Sequence, residues 1–76
     1  SCRGSGFAFD YHDIWWYRHS AAGSLEWVSF ISTDSSVIKS EPAMESRVLV
    51  SRDNSRSESS LTLRALGPRD SARYFC

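Results

Sequence analysis

The stretch Asp70-Ser71-Ala72-Arg73-Tyr74-Phe75-Cys76 decides how the rest of the sequence is interpreted. Alternate residues of a strand point to opposite faces, which places Tyr74 and Cys76 together on a side that faces a core. A second cysteine, Cys2, lies near the other end of the sequence, and Trp16 follows it by fourteen residues. Two cysteines with a tryptophan and a tyrosine at this spacing are typical of a sandwich of two β-sheets.

Three further motifs stand between the two cysteines. Their order is Ser5-Gly6-Phe7-Ala8-Phe9, then Leu25-Glu26-Trp27-Val28-Ser29, then Ser51-Arg52-Asp53-Asn54-Ser55. They resemble the entry to the first hypervariable loop, the framework before the second and the turn after it in an antibody heavy-chain variable domain. The resemblance implies an all-β, variable-type immunoglobulin fold, a two-sheet Greek-key sandwich that forms one domain over residues 1–76. Another immunoglobulin-like receptor is the alternative.

The same resemblance implies that the sequence is partial. A variable domain of this family has a strand before the first cysteine, and a third hypervariable loop and a closing strand after the second. None of them is found in the 76 residues. We therefore expect a sandwich that lacks its first and last strands, and the absent third loop usually dominates antigen contact in this family.

The resemblance further implies a disulfide between Cys2 and Cys76 that crosses the two sheets. Trp16 would pack on this bond, and the Tyr74 hydroxyl would bond to backbone upstream. With 73 residues between the cysteines, the chain-entropy model gives the bond about 4 kcal/mol. Two unrelated buried thiols are the alternative. A disulfide needs an oxidising compartment, so we expect an extracellular protein, secreted or on the B-cell surface.

Other positions match the family or depart from it. Arg47 and Asp70 resemble the ion pair that closes the lower end of the sandwich. Ser59 stands where the family usually has a leucine, and a buried hydroxyl without a partner would cost a few kcal/mol. The turn over residues 20–24 differs from the family's usual Ala-Pro-Gly-Lys-Gly. If the usual glycine position of this turn needs a positive φ, Ala22 at that position costs on the order of 1 kcal/mol. Otherwise the chain adopts another turn type, for which Gly23 is present.

Alternation of apolar residues predicts the strands and the core. Strands are expected at residues 14–19, 28–31 and 37–39, followed by a hairpin that turns at residues 53–55. In this hairpin, the residues expected to face the core are Val48, Val50, Leu61, Leu63 and Leu66. Phe7 and Phe9 are expected to tuck beneath their loop as structural anchors rather than to meet a ligand.

The loop over residues 5–13 and the polar turn over residues 32–36 correspond by resemblance to the first two hypervariable loops. The residues expected to contact antigen are Asp10, Tyr11, His12, Asp13, Trp15, Phe30, Ser32, Thr33, Asp34, Ser35, Ser36 and Lys39. Contact loops rich in Ser, Tyr and Asp are typical of paratopes, and we expect a protein antigen. For the serine-rich turn, a plain solvated hairpin is the alternative.

A second surface follows from the strand at residues 14–19. Trp16 and Arg18 share one face and Trp15 and Tyr17 the other, so the outer face needs a cover. By resemblance that cover is a light-chain variable domain. The residues expected at this interface are Tyr17, His19, Leu25, Trp27 and Phe75. Leu25 and Trp27 favour pairing, whereas Tyr17 mildly favours the alternative, an unpaired single-domain binder.

His19 stands where the family usually has a glutamine, so we expect acid-sensitive pairing, since burial disfavours a charged imidazole.

Composition and motifs argue against several functions. Nine basic and nine acidic side chains give no net charge, so nothing favours nucleic acid or an anionic membrane. Apolar runs are only a few residues long, and no membrane insertion is expected. His12 and His19 lie in different elements, and the sequence has no Gly-x-Ser-x-Gly elbow or phosphate loop. We therefore expect no enzyme, no catalytic or metal-binding residues and no cofactor.

Overall fold

The computed structural model describes residues 1–20 and 23–76, and these residues form seven strands. The strands are β1 (Cys2–Arg3), β2 (Ile14–Ser20), β3 (Leu25–Ile31), β4 (Ile38–Ser40), β5 (Val48–Asp53), β6 (Glu58–Leu63) and β7 (Ala72–Phe75). Short 3₁₀ helices lie at Phe9–Tyr11, Glu45–Arg47 and Pro68–Asp70.

The strands make two antiparallel sheets. One sheet has three strands in the order β1-β6-β5, and the other has four in the order β4-β3-β2-β7. β2, β3 and β4 pair with their neighbours in the chain, whereas β1 reaches across to β6 and β7 across to β2. The predicted all-β class with two sheets is confirmed, and the arrangement is compatible with a β-sandwich.

Apolar side chains from both sheets meet in a core. The buried hydrophobic residues are Phe9, Ile14, Trp16, Val28, Ile31, Met44 and Val50. Cys2, Val48, Leu61 and Tyr74 pack against this cluster and are partly buried. Burying a large apolar side chain contributes about 1.5 to 3 kcal/mol, which makes this cluster a main source of the fold's stability.

β2 follows the predicted alternation of buried and exposed residues, but β3 departs from it. The neighbours Val28 and Ser29 are both buried. Trp16 lies opposite Ser29, whereas the next residue, Tyr17, lies opposite Trp27. The extra residue in β3 forms a β-bulge, and beyond it Trp27 shares the outer face with Tyr17.

The predicted disulfide between Cys2 and Cys76 is present, with 6.4 Å between the two Cα atoms. Cys2 belongs to β1 of the three-stranded sheet, and Cys76 directly follows β7 of the four-stranded sheet. The Tyr74 hydroxyl donates a hydrogen bond to the Asp70 carbonyl, four residues upstream, at 2.7 Å. The two sheets are therefore joined covalently, and the start of β7 is fixed by the tyrosine as predicted.

Asp70 is a buried carboxylate at the lower end of the sheets. Arg47 Nη1 donates to its Oδ2 at 2.8 Å, so the predicted ion pair is present. Arg18 Nη1 donates to Oδ1 at 3.1 Å and Arg18 Nη2 to Glu26 at 3.4 Å, which the sequence did not predict. The Arg47 hydrogen bond, followed by one from the Gly67 amide, holds the pKa of Asp70 well below its usual range.

Ser59 is buried in the core, and its hydroxyl both accepts and donates a hydrogen bond. Trp16 Nε1 donates to Ser59 Oγ at 3.2 Å, and that hydroxyl donates to the Ser51 carbonyl at 2.8 Å. Its side chain is 1% exposed. The cost expected for an unpartnered hydroxyl therefore does not arise, because the serine replaces apolar packing with two hydrogen bonds.

Two residues predicted to be buried are exposed. Leu66 was expected to face the core, but β6 ends at Leu63 and Ala65 takes a left-handed φ of 53°, so the chain leaves the sheet before Leu66. Phe7 was expected to anchor its loop and is half exposed, whereas Phe9 is buried. The anchor is Phe9 because its 3₁₀ helix turns it inward, while Phe7 rests on the rings of Phe9 and His12.

Element boundaries also differ from the prediction. β3 begins at Leu25 rather than Val28, and β4 begins at Ile38, one residue later than expected. In the turn before β3, Gly23 has a φ of 84°, as expected for the glycine of that turn. The prediction made for Ala22 lies outside the described residues.

Candidate binding surface

The two loops predicted to bind antigen lie side by side. One loop joins β1 to β2 and the other joins β3 to β4. The Thr33 backbone N–H donates to Asp13 Oδ1 at 3.2 Å, which links the two loops directly. At their base, Trp15 and Phe30 lie opposite each other on paired strands, with ring centroids 4.6 Å apart.

The first loop is shaped by one glycine and one buried ring. Gly6 has a φ of 76°, a conformation that costs other residues energy, and it bends the chain after β1. The following 3₁₀ helix carries Phe9 into the core, and the amides of Tyr11 and His12 donate to the carbonyls of Ala8 and Phe9. The loop therefore presents its polar residues from a backbone that is held in place. Its exposed predicted contact residues are Asp10, Tyr11, His12 and Asp13.

The second loop is a hydrogen-bonded turn built around Ser32 and Asp34. Asp34 Oδ1 accepts hydrogen bonds from Ser32 Oγ at 3.1 Å and from the Ser36 amide at 3.0 Å. The Ser35 amide donates to the Ser32 carbonyl, and the Val37 amide donates to Ser32 Oγ. Hydrogen bonds from Ser36 lower the pKa of Asp34, so they favour the ionised form of the carboxylate that holds the turn. Ser32 was predicted to contact antigen, but its polar atoms hold the turn.

Arg52 of β5 joins the two loops, a role that was not predicted from the sequence. Its Nη2 donates to the Phe9 carbonyl and its Nη1 to the Ser32 carbonyl, both at 2.9 Å. Its guanidinium carbon lies 4.7 Å from the centroid of the Phe9 ring. Arg52 Nε also donates to Asn54, whose Nδ2 donates to the Thr33 carbonyl at 2.8 Å. One side chain thus fixes the backbone of both loops.

The signal for Arg52 was available in the strand pattern. Val48, Val50 and Arg52 share the inward face of β5, and the two valines were predicted to face the core. An arginine that continues a buried face needs hydrogen-bond acceptors, because a buried guanidinium without partners is costly. The loop carbonyls that accept hydrogen bonds from Arg52 cannot be identified from the sequence alone.

Five aromatic residues form what we call the outer aromatic face: Trp15, Tyr17, Trp27, Phe30 and Phe75. Register shows that they share one side of the four-stranded sheet, because Tyr17 lies opposite both Trp27 and Phe75, and Trp15 lies opposite Phe30. Tyr17 and Phe75 stack with centroids 6.1 Å apart, and Trp15 lies 6.4 Å from Trp27. This side of the sheet faces away from the core.

All five residues predicted to meet a light chain lie on this side. Tyr17, Trp27 and Phe75 form one row across the sheet, and His19 with Leu25 forms the next. Leu25 is 62% exposed. Trp15 and Phe75 on this side are exposed as well.

The residues predicted to bind antigen lie around the two loops and the adjoining end of the four-stranded sheet. Phe30, Ser32 and Thr33 are half buried, and the others are exposed. Lys39 of β4 lies opposite Phe30, on the side of Phe30 away from Trp15. The structure therefore brings together two surfaces that share Trp15 and Phe30, a polar rim at the loops and the outer aromatic face below it.

Within residues 1–20 and 23–76, no three His, Cys, Asp or Glu side chains are grouped closely enough to hold a metal ion. The helices in the described part of the chain are too short and too polar for any of them to cross a membrane. A comparison of the sequence with models of known protein families finds no match.

Proposed function

We propose that the chain is a variable domain of an antibody heavy chain that binds antigen through its two polar loops and pairs with a light-chain variable domain. The observation that carries this proposal is the adjacency of two surfaces on one sheet. A rim of polar loop residues held by Arg52 adjoins the outer aromatic face, in which Trp15 and Phe75 are exposed. If the resemblance of the motifs to the antibody family holds, antigen would bind at the first surface and a light chain at the second.

The loop geometry supports antigen binding. Arg52 and Asn54 donate hydrogen bonds to carbonyls of the two loops, and Asp13 accepts one from the Thr33 amide, whereas the side chains of Tyr11 and Asp34 are exposed. A preorganised backbone lowers the entropy lost on binding, so more of the contact energy appears as affinity. Tyrosine, serine and aspartate at the rim supply rigid aromatic contact and hydrogen bonding to a protein antigen.

An alanine scan against the cognate antigen tests the first surface. The variants are Tyr11→Ala, Asp13→Ala, Trp15→Ala, Phe30→Ala, Asp34→Ala and Lys39→Ala. We expect several of them to weaken binding by about 1 kcal/mol or more, because a few central residues usually carry most of the affinity. Ser60→Ala, an exposed change on β6, is the control and should leave affinity unchanged. If no rim variant differs from this control, these loops do not bind the antigen.

Size-exclusion chromatography tests the second surface. The chain is run alone and mixed with a light-chain variable domain, and we expect a heterodimer in the mixture. Leu25→Arg should prevent it, because an arginine would place a charge within the aromatic face. Leu49→Arg is a matched control, since Leu49 is 63% exposed and lies on the other sheet. Equal loss of pairing in both variants would argue against this interface.

An unpaired single-domain binder is the second candidate. It is favoured by contacts within the aromatic face, where Tyr17 stacks on Phe75 and Trp27 Nε1 donates to the Ser29 carbonyl at 3.0 Å. Such a domain would stay monomeric in the light-chain mixture and still bind antigen. The acid sensitivity expected from His19, which lies opposite Arg73, stays a prediction for the paired form.

A further inference from the structure

Asn54 carries the only side-chain amide of the chain, since the sequence contains no glutamine and no second asparagine. It lies in the exposed turn between β5 and β6, and Ser55 follows it. Asparagine is one of the thermally labile residue types. Its side-chain amide carbon can be attacked by the backbone nitrogen of the next residue, which makes Asn54 the one position where the chain can lose an amide in this way.

Both ends of the Asn54 amide are hydrogen-bonded. Arg52 Nε donates to Asn54 Oδ1 at 2.8 Å, and Asn54 Nδ2 donates to the Thr33 carbonyl at 2.8 Å. A guanidinium only donates and a carbonyl only accepts, so these two partners determine which end of the amide carries the oxygen. The side chain therefore joins the turn after β5 to the second loop.

The nitrogen that would attack is also hydrogen-bonded. The Ser55 N–H donates to Asp53 Oδ1 at 3.1 Å, and the Ser55 hydroxyl donates to the same oxygen. Attack requires the two reacting atoms to come within about 3 to 3.5 Å of each other with their orbitals aligned. An amide that is held at both ends cannot change its orientation without losing a hydrogen bond, and the unfolded chain has no such restraint.

We propose that Asn54 is a deamidation site that is protected while Arg52 and Thr33 hold its amide, and that reacts when the turn separates locally from the second loop. In the separated form, the Ser55 nitrogen attacks Asn54 Cγ and the Cγ–Nδ2 bond breaks. Ammonia leaves with the proton of the Ser55 N–H, and a cyclic succinimide remains. Water then opens this ring to aspartate or isoaspartate, so an amino group is replaced by a hydroxyl group.

The product cannot restore the contact with the second loop. A carboxylate has no N–H, so position 54 no longer donates to the Thr33 carbonyl, and two acceptor oxygens would face each other there. Arg52 Nε would still find an acceptor. The modified turn therefore keeps its hydrogen bond to β5 and loses the one to Thr33, which makes the change one-way.

Intact-mass spectrometry measures the reaction, because every side-chain deamidation of this chain belongs to Asn54. The chain is incubated at mildly alkaline pH, folded or in concentrated urea with its disulfide intact. We expect deamidation in urea to be faster by about tenfold or more, because the folded turn must first break the hydrogen bonds of the amide. Asn54→Ser should show no such mass change in either state. Equal rates in the two states would overturn the proposal.

Two variants separate local opening from global unfolding. Arg52→Met removes the donor to Asn54 Oδ1 and should speed deamidation of the folded chain severalfold. Met44→Ala weakens the core at a residue that is 3% exposed and makes no hydrogen bond to the turn. Urea titration gives the free energy of unfolding of both, and Met44→Ala should accelerate the reaction less than Arg52→Met at the same loss of stability.

Arg3→Met is the matched control for Arg52→Met, because the Arg3 side chain is 73% exposed and pairs only with Glu58 among the described residues. It should leave the rate of deamidation unchanged. A rate in Arg52→Met no higher than in Arg3→Met, or an acceleration that follows global stability alone, would overturn local protection by Arg52. If Arg52→Met does not fold, the comparison of the folded and unfolded unmodified chain still decides whether the turn protects Asn54.

Discussion

At the scale of single residues, the pair formed by Trp16 and Ser59 shows how a polar residue fits into a small core. The indole N–H of a buried tryptophan needs an acceptor, and Ser59 Oγ provides it while donating to the Ser51 carbonyl. Trp16, Ser59 and Ser51 are therefore joined by two hydrogen bonds, of which the first runs from one sheet to the other. In a chain of 76 residues with a limited core, each of these bonds has a sizeable share of the total stability.

We expect Ser59→Ala to lower the free energy of unfolding by about 1 to 3 kcal/mol, because it leaves Trp16 Nε1 without its acceptor. Urea titration followed by tryptophan fluorescence measures the change. Ser60→Ala, one residue away and exposed, should alter stability by no more than about 0.5 kcal/mol. Equal stability of the two variants would contradict a role for the hydrogen bond.

The residue scale also shows what the sequence was able to predict. The partnership of the two cysteines and the hydrogen bond of Tyr74 followed from family motifs, and both are present. The partner of Ser59 did not follow, because Trp16 is 43 residues away in the sequence and belongs to the other sheet. Arg52 was missed for a similar reason, since its acceptors are backbone carbonyls of distant loops.

At the scale of elements, the 3₁₀ helix at Pro68–Asp70 joins the end of one sheet to the start of β7. Asp70 accepts hydrogen bonds on its carboxylate from Arg47, Arg18 and the Gly67 amide, and on its carbonyl from Tyr74. This short element is therefore fixed to β2, β7 and the segment before β5. Its geometry depends on the carboxylate staying ionised.

We expect the chain to lose stability in acid through Asp70. Its pKa is lowered in the folded state, chiefly by Arg47, from an unfolded value near 3.8. The stabilisation is thus complete above that value and is lost as pH falls below it toward the lower folded pKa. Thermal unfolding of Asp70→Asn should show a lower midpoint at about pH 7 and a smaller further loss at about pH 3 than the unmodified chain.

Asp10→Asn is the control for this measurement, because Asp10 is exposed at the tip of the first loop. It should retain the acid dependence of the unmodified chain. The same loss between the two pH values in Asp70→Asn and in the unmodified chain would show that another carboxylate is responsible.

The sequence predicted which strands are present better than it predicted the residues at which they begin and end. The strong alternation of β2 and β5 located those strands, but the bulge in β3 breaks the two-residue period and hid its first three residues. Leu66 was misplaced because the left-handed turn at Ala65 has no glycine to announce it. The alternation of apolar residues does not show where a chain leaves a sheet when the turn that follows contains no characteristic turn residue at its left-handed position.

At the scale of the whole molecule, one covalent bond and a shared core hold the two sheets together. The Cys2–Cys76 bond connects sheets whose other links include apolar contacts, the hydrogen bond from Trp16 to Ser59 and the Asp70 ion pairs. Small domains bury too little surface to depend on packing alone. The polar rim at the two loops and the outer aromatic face both belong to elements of the two sheets that this bond joins.

We expect the double variant Cys2→Ala/Cys76→Ala to be less stable by about 4 kcal/mol, mainly because its unfolded chain gains freedom. Urea unfolding of the variant and of the oxidised chain measures the difference. Chemical reduction of the unmodified chain provides a second route to the same state and should give a similar loss. An unchanged unfolding midpoint would show that packing alone supports the fold.

The bond between Cys2 and Cys76 also makes residues 2–76 a closed loop. A protease that cuts the loop at residues 5–13 or the segment between β4 and β5 would open this loop without releasing either fragment. The cleaved molecule would keep its mass, apart from one added water, until a reductant is added. Exposed segments of the chain are therefore open to cleavage while the sheets on both sides stay covalently attached.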